Sequence, residues 1–420
     1  MDWVILLLGG LAVLLGTPLF IGLGGIALTL FLHHGISPTA VLIETYRLVS
    51  SPVLIALPLF AFAGSMLAES RSATRLVAFS QAFFGWLPGG VAIVALIASA
   101  LFTALTGGSG ITILALGALL YPMLLRDNYP ERFSLGLITT SGSLGILFLP
   151  SFPLIVYGLV AQTRIDHLFL AGLLPGILLI LLLALYASVI GVRARLPRHP
   201  WDVKTAWRTF WGAKWEVFLL PLILIGIYGG FFTASEVAAI TAMYVLIIEV
   251  FLYRDLSLTG DIPRIMVEST VLVGGVLIIL GMALGLTSFL IDQQVPMHLL
   301  AILKQWIVDR TIFLILLNIF LLIVGCLMDI LSAIIVFVPL ILPVAKEFGV
   351  DPVHLGIIFL ANLEIGYSTP PVGINLFLGS LRFDKPIMTL YRAALPFLAI
   401  YLIGLLIITY IPALSLILLR

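Results

Sequence analysis

The sequence predicts an all-α integral membrane protein made of two inverted repeats, each holding a re-entrant helical hairpin and a broken helix. Three observations carry that expectation. The chain of 420 residues is 62% hydrophobic and only 10% charged, too little polar surface for a soluble fold. Residues 76–125 contain no Asp, Glu, Lys or Arg. A set of Gly and Pro residues recurs at one fixed spacing along the chain. The net charge of +1 gives no case for nucleic acid, and six scattered His with one Cys exclude a disulfide framework or a Cys-based metal site. Cys326 reads as a small packing residue.

The N-terminal "MDWVILLLGG" lacks a basic leader and a small-residue cleavage pattern, so it reads as a retained first helix. A helix needs about 20 apolar residues to cross about 30 Å of hydrocarbon. The uncharged stretch 76–125 would be about 75 Å long as one straight helix, so it must turn back on itself. Its punctuation is Pro88, Gly89 and Gly90, then "TGGSG" at 106–110. The arms 91–105 and 111–125 are about 22 Å each, too short to span, and describe a hairpin with its Gly-rich tip near the membrane centre. The pattern returns at "IFLLIVGCLMDILSAIIVFVPLILP" (319–343), where apolar arms flank Gly325 to Asp329.

A shift of 221 residues pairs Gly64 with Gly285, Pro122 with Pro343, Gly145 with Gly366, Pro150 with Pro371, Gly158 with Gly379 and Pro175 with Pro396. Six coincidences at one shift indicate an internal repeat. The first repeat is expected over 1–192, with its hairpin at 91–125 and its broken helix at 133–160. A basic, amphipathic connector follows at 193–215, where Trp201, Trp207, Trp211 and Trp215 lie among basic residues and suggest an interfacial segment. The second repeat is expected over 216–420, with helices near 217–230, 235–252 and 269–290, a hairpin at 311–344 and a broken helix at 353–381.

Loop 193–214 carries Arg193, Arg195, Arg198, Lys204, Arg208 and Lys214, so the positive-inside rule makes it cytoplasmic. Both termini then fall on the periplasmic side, the base of the first hairpin inside and that of the second outside. Inverted repeats whose broken helices meet at mid-membrane are the usual build of a secondary transporter, with solute and ions held at the breaks.

Where a helix unwinds in lipid, its free carbonyl and N–H groups must find partners, because an unsatisfied one costs several kcal/mol. A hard monovalent cation such as Na⁺ accepts carbonyl and hydroxyl oxygens, and half-helix N-termini favour a solute carboxylate. The first candidate ion site joins Gly107, Gly108, Ser109 and Thr112 at the tip to Ser141, Gly142 and Gly145 at the break. The second joins Gly325 and Asp329 to Thr369, Pro370 and Gly373. Ser143, Pro150, Glu364 and Asn375 are the candidate solute contacts.

"TGGSGITILALGALLYP", "GSLGILFLPSFPLIVYG…LFLAGLLPG", "GIYGGFFTASEVAAI" and "GCLMDILSAIIVFVPLILPVAKEFGVDPVHLGIIFLANLEIGYSTPPVGINLF" together resemble the large membrane subunit (M, or DctM-like) of tripartite ATP-independent periplasmic (TRAP) transporters. The match runs in order over essentially the whole chain. The resemblance implies an elevator-type, Na⁺-coupled importer of organic acids in the bacterial inner membrane, with about two Na⁺ sites and a mobile domain built from hairpins and broken helices. A periplasmic substrate-binding protein would deliver a small carboxylate to this subunit and a small four-helix membrane subunit, expected as a separate chain. The family's Na⁺ ligands map onto Ser109 and Gly145 in one site and Asp329 and Thr369 in the other. Many members carry Asp a few residues after the first tip, where this chain has Thr112, a departure that bears on the charge of the first site.

Several of these residues admit a plainer reading. Asp329 can N-cap the return arm, although an acid at membrane depth is functional by default. Glu364 can bond N–H groups freed at the break, and Asn375 can satisfy a carbonyl. Ser109 and Thr112 can bond back to their own helix. Glu236 in "TASE" fits a helix start, and Asp292 a solvated loop end. A channel would need rings of carbonyls or charges in a symmetric oligomer. An enzyme would need a converging catalytic set, whereas the six His lie at or near segment ends. The remaining alternative is a stand-alone Na⁺/organic anion symporter of the divalent-anion type, which needs no binding protein.

Overall fold

The computed structural model describes residues 2–50, 52–197, 200–295, 297–298, 307 and 309–419. Arg198 of the basic loop and His199 lie outside the described residues. Every regular element among those described is helical, and eight helices are long and apolar enough to cross a membrane.

Helices α1 (Asp2–Leu14) and α2 (Leu19–His33) are tied at one end, where His34 Nε2 lies 2.9 Å from Asp2 Oδ2. Next come α3 (Thr39–Val49) and α4 (Ala56–Glu69), separated by a 3₁₀ turn at Pro52–Ile55, and then α5 (Ser72–Phe84). The first hairpin is α6 (Gly90–Thr106) and α7 (Ser109–Arg126). The first broken helix runs through α8 (Glu131–Ser141), a 3₁₀ turn at Leu144–Leu147 and α9 (Phe152–Ala161), with a 46° bend. Four long helices follow: α10 (Ile165–Arg193), α11 (Val203–Tyr228), α12 (Ala234–Leu246) with a π turn at Ile247–Leu252, and α13 (Asp261–Asp292). The second hairpin is α14 (Arg310–Leu327) and α15 (Ile330–Glu347). The second broken helix is α16 (Pro352–Gly366) and α17 (Ile374–Phe383); α18 (Ile387–Tyr410), a short helix α19 (Ala413–Leu416) and a 3₁₀ turn at Ile417–Leu419 follow.

Local chemistry sets where these helices start. Asp202 accepts from the N–H groups of Lys204 and Thr205, Asp309 from Ile312, and Asp351 from Val353 and His354 with Pro352 at the first helical position. Each cap satisfies donors that an apolar surrounding cannot. Thr233 and Glu236 form a reciprocal capping box, so "TASE" is a helix start. Asp292 is exposed, as a loop-end residue should be, and Cys326 is buried with its thiol on the Ile323 carbonyl.

The 221-residue spacing is visible in the elements. Helices α7 and α15 are each 18 residues long and begin that far apart, as do α8 and α16. Polar contacts mark the two ends of the bundle. At one end Arg75 reaches Glu216, Glu249 and Asp255, and Arg264 reaches Glu69. At the other, the Tyr157 hydroxyl donates to the Pro352 carbonyl at 2.7 Å, and His354 lies between Ser415 and the Thr409 carbonyl.

Three expectations change. From Val203 the Trp-rich stretch is no separate element but the first part of the continuous α11, with Lys214 over the rings of Trp211 and Trp215. Side chains three and four apart share a helix face, so an aromatic-basic pattern suits the start of a span equally well. The helix expected at 269–290 already begins at Asp261. The hairpin arms have 17 or 18 residues, about 26 Å each, because the tips wind into the helices. Length alone therefore does not make them re-entrant; the packing of their tips against the breaks is what distinguishes them.

Candidate functional site

The first break lies against the first hairpin tip. Gly107 turns the chain at φ +75°, and α7 starts at Ser109. Thr103, one turn before the tip, donates to the Gly142 carbonyl at 2.7 Å and lies 2.6 Å from the Thr112 hydroxyl. With its own proton on Gly142, Thr103 accepts from Thr112. Thr112 also lies 3.2 Å from the Gly108 carbonyl, the alternative and longer acceptor for its one hydroxyl proton. A Cβ added at Gly145 would lie 2.4 Å from both the Ala100 carbonyl oxygen and the Ala104 nitrogen; only glycine admits this approach. Gly107, Gly108, Ser109, Thr112, Gly142 and Gly145 therefore stand at one tip–break contact. Ser141 is aimed elsewhere, 3.3 Å from Ser99, and Ser143 bonds the Thr140 carbonyl at 3.4 Å.

The second contact repeats the arrangement. A Cβ at Gly366 would lie 2.5 Å from the Gly325 carbonyl carbon. The Gly373 N–H donates to the Cys326 carbonyl at 3.2 Å, and the Ile330 N–H at the tip donates to the Tyr367 hydroxyl at 2.6 Å. Asp329 is exposed and caps α15 through Ser332 N–H at 3.0 Å. Thr369 bonds back to the Ile365 carbonyl at 2.8 Å and, with Pro370, is half-buried. Thr103 and Tyr367, which tie each tip to its break, are absent from the sequence-derived candidates.

Glu364 and Asn375 depart from their plainer readings. Neither carboxylate oxygen of Glu364 bonds a freed N–H, and neither amide atom of Asn375 reaches a carbonyl. Burial at 1% and 0% exposure also keeps both off any open surface.

A cavity of about 540 Å³ opens beside the first tip. Thr106, Gly107, Gly108 and Ile111 line one wall with Pro150 and Phe152, while α4 and α13 supply Ser65, Glu69, Glu268 and Ser269. Arg264 pairs with Glu69 and lies 3.3 Å from Glu268 at its margin. A second cavity of about 470 Å³ lies toward the other end, between α3 and α13 and the ends of α9 and α15, with Arg47, Glu44 and Lys346 in its lining. Of the four candidate solute contacts, Pro150 is the one that lines the first cavity, and none lines the second.

Paired hairpins, paired breaks and cavities between them and the long helices define a membrane permease. The family profile described as "Tripartite ATP-independent periplasmic transporter, DctM component" matches residues 4–414. The C4-dicarboxylate TRAP transporter large permease protein DctM of Pseudomonas aeruginosa is 37% identical over 397 residues, 94% of this chain and 92% of that one. The ectoine/5-hydroxyectoine large permease protein UehC of Ruegeria pomeroyi is 33% identical, covering 93% and 92%. With the isethionate TRAP transporter permease protein DctMQ of Oleidesulfovibrio alaskensis the identity is 34%, and the match covers 96% of this chain but 64% of that longer one. Among solved structures, the Alcanivorax borkumensis YdaH transporter superposes with a TM-score of 0.63 over 88% of this chain and 87% of its own, at 15% identity, a likeness of fold. The chain belongs to the DctM family: it is a multi-pass large permease subunit of a TRAP transporter.

Proposed function

We propose that this permease imports a small organic acid across the bacterial inner membrane, coupled to Na⁺, by an elevator movement of the two hairpins and two broken helices against the long helices. The observation that carries the reading is the 540 Å³ cavity, whose walls come from the first tip and break on one side and from α4 and α13 on the other. A solute held there touches both sides, so sliding one past the other would carry it between the two bundle ends. The second cavity offers a way in on the opposite end, with Arg47 and Lys346 suited to an arriving anion. Na⁺ would bind at the two tip–break contacts: Gly107, Gly108, Ser109, Thr112, Gly142 and Gly145 at the first, and Gly325, Asp329, Thr369, Pro370 and Gly373 at the second. A small four-helix subunit and a periplasmic binding protein complete the system, and loop 193–214 faces the cytoplasm. The DctM relatives named for C4-dicarboxylates support the organic-acid assignment.

Uptake into proteoliposomes holding both membrane subunits tests the reading. It is expected to require the cognate binding protein and an inward Na⁺ gradient, and Asp329→Ala should weaken the Na⁺ dependence. Uptake at full rate without the binding protein would favour the stand-alone symporter. Uptake indifferent to Na⁺ would remove the coupling.

A further inference from the structure

Five side-chain atoms at the second break have no hydrogen-bond partner: both carboxylate oxygens of Glu364, the Ser368 hydroxyl and both amide atoms of Asn375. Ser368 and Asn375 are fully buried and Glu364 is 1% exposed. They flank the break, with Glu364 in the last turn of α16, Ser368 just beyond it and Asn375 in the first turn of α17. The Asn375 N–H donates to the Tyr367 carbonyl at 3.0 Å, which draws the two sides together. Tyr401 of α18 is the titratable side chain that faces Glu364; among the described residues none from α9, α10, α14 or α15 acts on it, and no cation balances it.

A lone carboxylate in such a place costs several kcal/mol, and an unpaired buried hydroxyl or amide about 1–3 kcal/mol. The break does not need these groups for its own fold. At the 221-residue spacing their counterparts in the first break are Ser143, Leu147 and Leu154, and both leucines are fully buried. The same turn is thus closed by apolar packing in one repeat and left with unpartnered polar atoms in the other. An intramembrane acid with no partner marks an ion pathway.

We propose that Glu364, Ser368 and Asn375 form a further monovalent-cation site at the second break, beside the contact at Asp329 and Thr369. Carboxylate, hydroxyl and amide oxygens are a donor set for a hard cation, and one carboxylate balances one charge. No trio of His, Cys, Asp or Glu among the described residues stands ready for a transition metal. The occupant is Na⁺ or a proton held by the same carboxylate, and this rests on the reading of the protein as cation-coupled. It also explains why Glu364 lines neither cavity: its task is to bind the driving ion rather than the anionic solute.

The test uses the complete transporter in proteoliposomes, with the cation-to-solute ratio taken from reversal potentials under a Na⁺ gradient at fixed pH and under a pH gradient at fixed Na⁺. Wild type is expected to couple one more cation than Glu364→Gln, and the gradient whose number falls identifies Na⁺ or H⁺. Ser368→Ala and Asn375→Ala are expected to keep the ratio and raise the half-activating concentration of that cation several-fold. These two milder variants decide the matter if Glu364→Gln does not assemble. An unchanged ratio in a folded Glu364→Gln, or unchanged cation activation in both milder variants, overturns the proposal and leaves ordered water as the filling. Wild-type uptake indifferent to both gradients overturns the cation-coupled function itself, and is seen before any variant is made.

Discussion

Gly366 lies against Gly325 so closely that a methyl group on either would meet the backbone of the other helix, at 2.5 Å from the Gly325 carbonyl carbon in one direction and 3.0 Å from the Leu363 Cα in the other. In the first repeat a methyl on Gly145 would likewise meet backbone, 2.4 Å from both the Ala104 nitrogen and the Ala100 carbonyl oxygen. These contacts bring a helix break against a hairpin tip backbone to backbone, with the Thr103 and Tyr367 side chains beside the junctions.

Gly366→Ala and Gly145→Ala are therefore expected to push each tip off its break. Overpacking of this kind costs about 1–3 kcal/mol, and the displaced carbonyls would no longer converge. A lowered melting temperature of the purified complex, with uptake reduced at least as much as folding, checks this. Wild-type melting and uptake in both variants would show that the junction tolerates a gap.

Arg75 is the sole cation bonded to Glu216 and Glu249 among the described residues, with Asp255 as its third partner and the Tyr253 ring 3.8 Å away. The two glutamates are 1% and 0% exposed in their side chains. Removing one member of a buried network strands the others, at roughly 3–5 kcal/mol. Arg75→Ala should accordingly be strongly destabilising, and adding Glu249→Gln should recover part of the loss. A double-mutant cycle on complex stability measures the coupling; strict additivity would mean the acids are relieved by solvent.

Thr103 joins the first tip to the first break through Gly142 and Thr112. Thr103→Val keeps the shape and removes the hydroxyl, leaving a buried carbonyl short of a partner at about 1–3 kcal/mol. If the first contact binds Na⁺, the variant should need several-fold more Na⁺ for half-maximal uptake. Thr112→Val tests the other end of the pair. An unshifted Na⁺ activation curve in both would confine these hydroxyls to a structural role.

The breaks and tips were legible because Gly and Pro are rare ways to interrupt an apolar helix, and Gly145, Pro150, Gly366 and Pro371 fall at one spacing. Thr103 and Tyr367 carry no such punctuation. Thr103 is one polar side chain inside α6 and Tyr367 stands just past the end of α16, and the partner of each, Gly142 or Ile330, comes from another element. The Arg75 network was hidden in the same way, its four charges spread from residue 75 to 255. The continuity of α11 through its tryptophans was hidden because an aromatic-basic pattern reads alike on a surface segment and at the start of a span. Asn375 and Glu364 were visible as polar residues near a break, but only packing shows that nothing meets them.

Ser269 lines the 540 Å³ cavity from α13, and its hydroxyl already bonds the Ile265 carbonyl at 2.8 Å. Ser65 faces the same space from α4. Neither stands at a tip–break contact, so a bulky side chain at either should fill the cavity without disturbing those junctions. Ser269→Trp is expected to lower uptake more than tenfold, while co-purification with the small subunit and the melting temperature stay near wild type. A pocket of this volume is of a size that holds a small solute, and an indole would occupy much of it. Ser269→Ala, which leaves the space open, should transport at close to the wild-type rate. Equal uptake by the tryptophan and alanine variants would move the solute path away from this cavity.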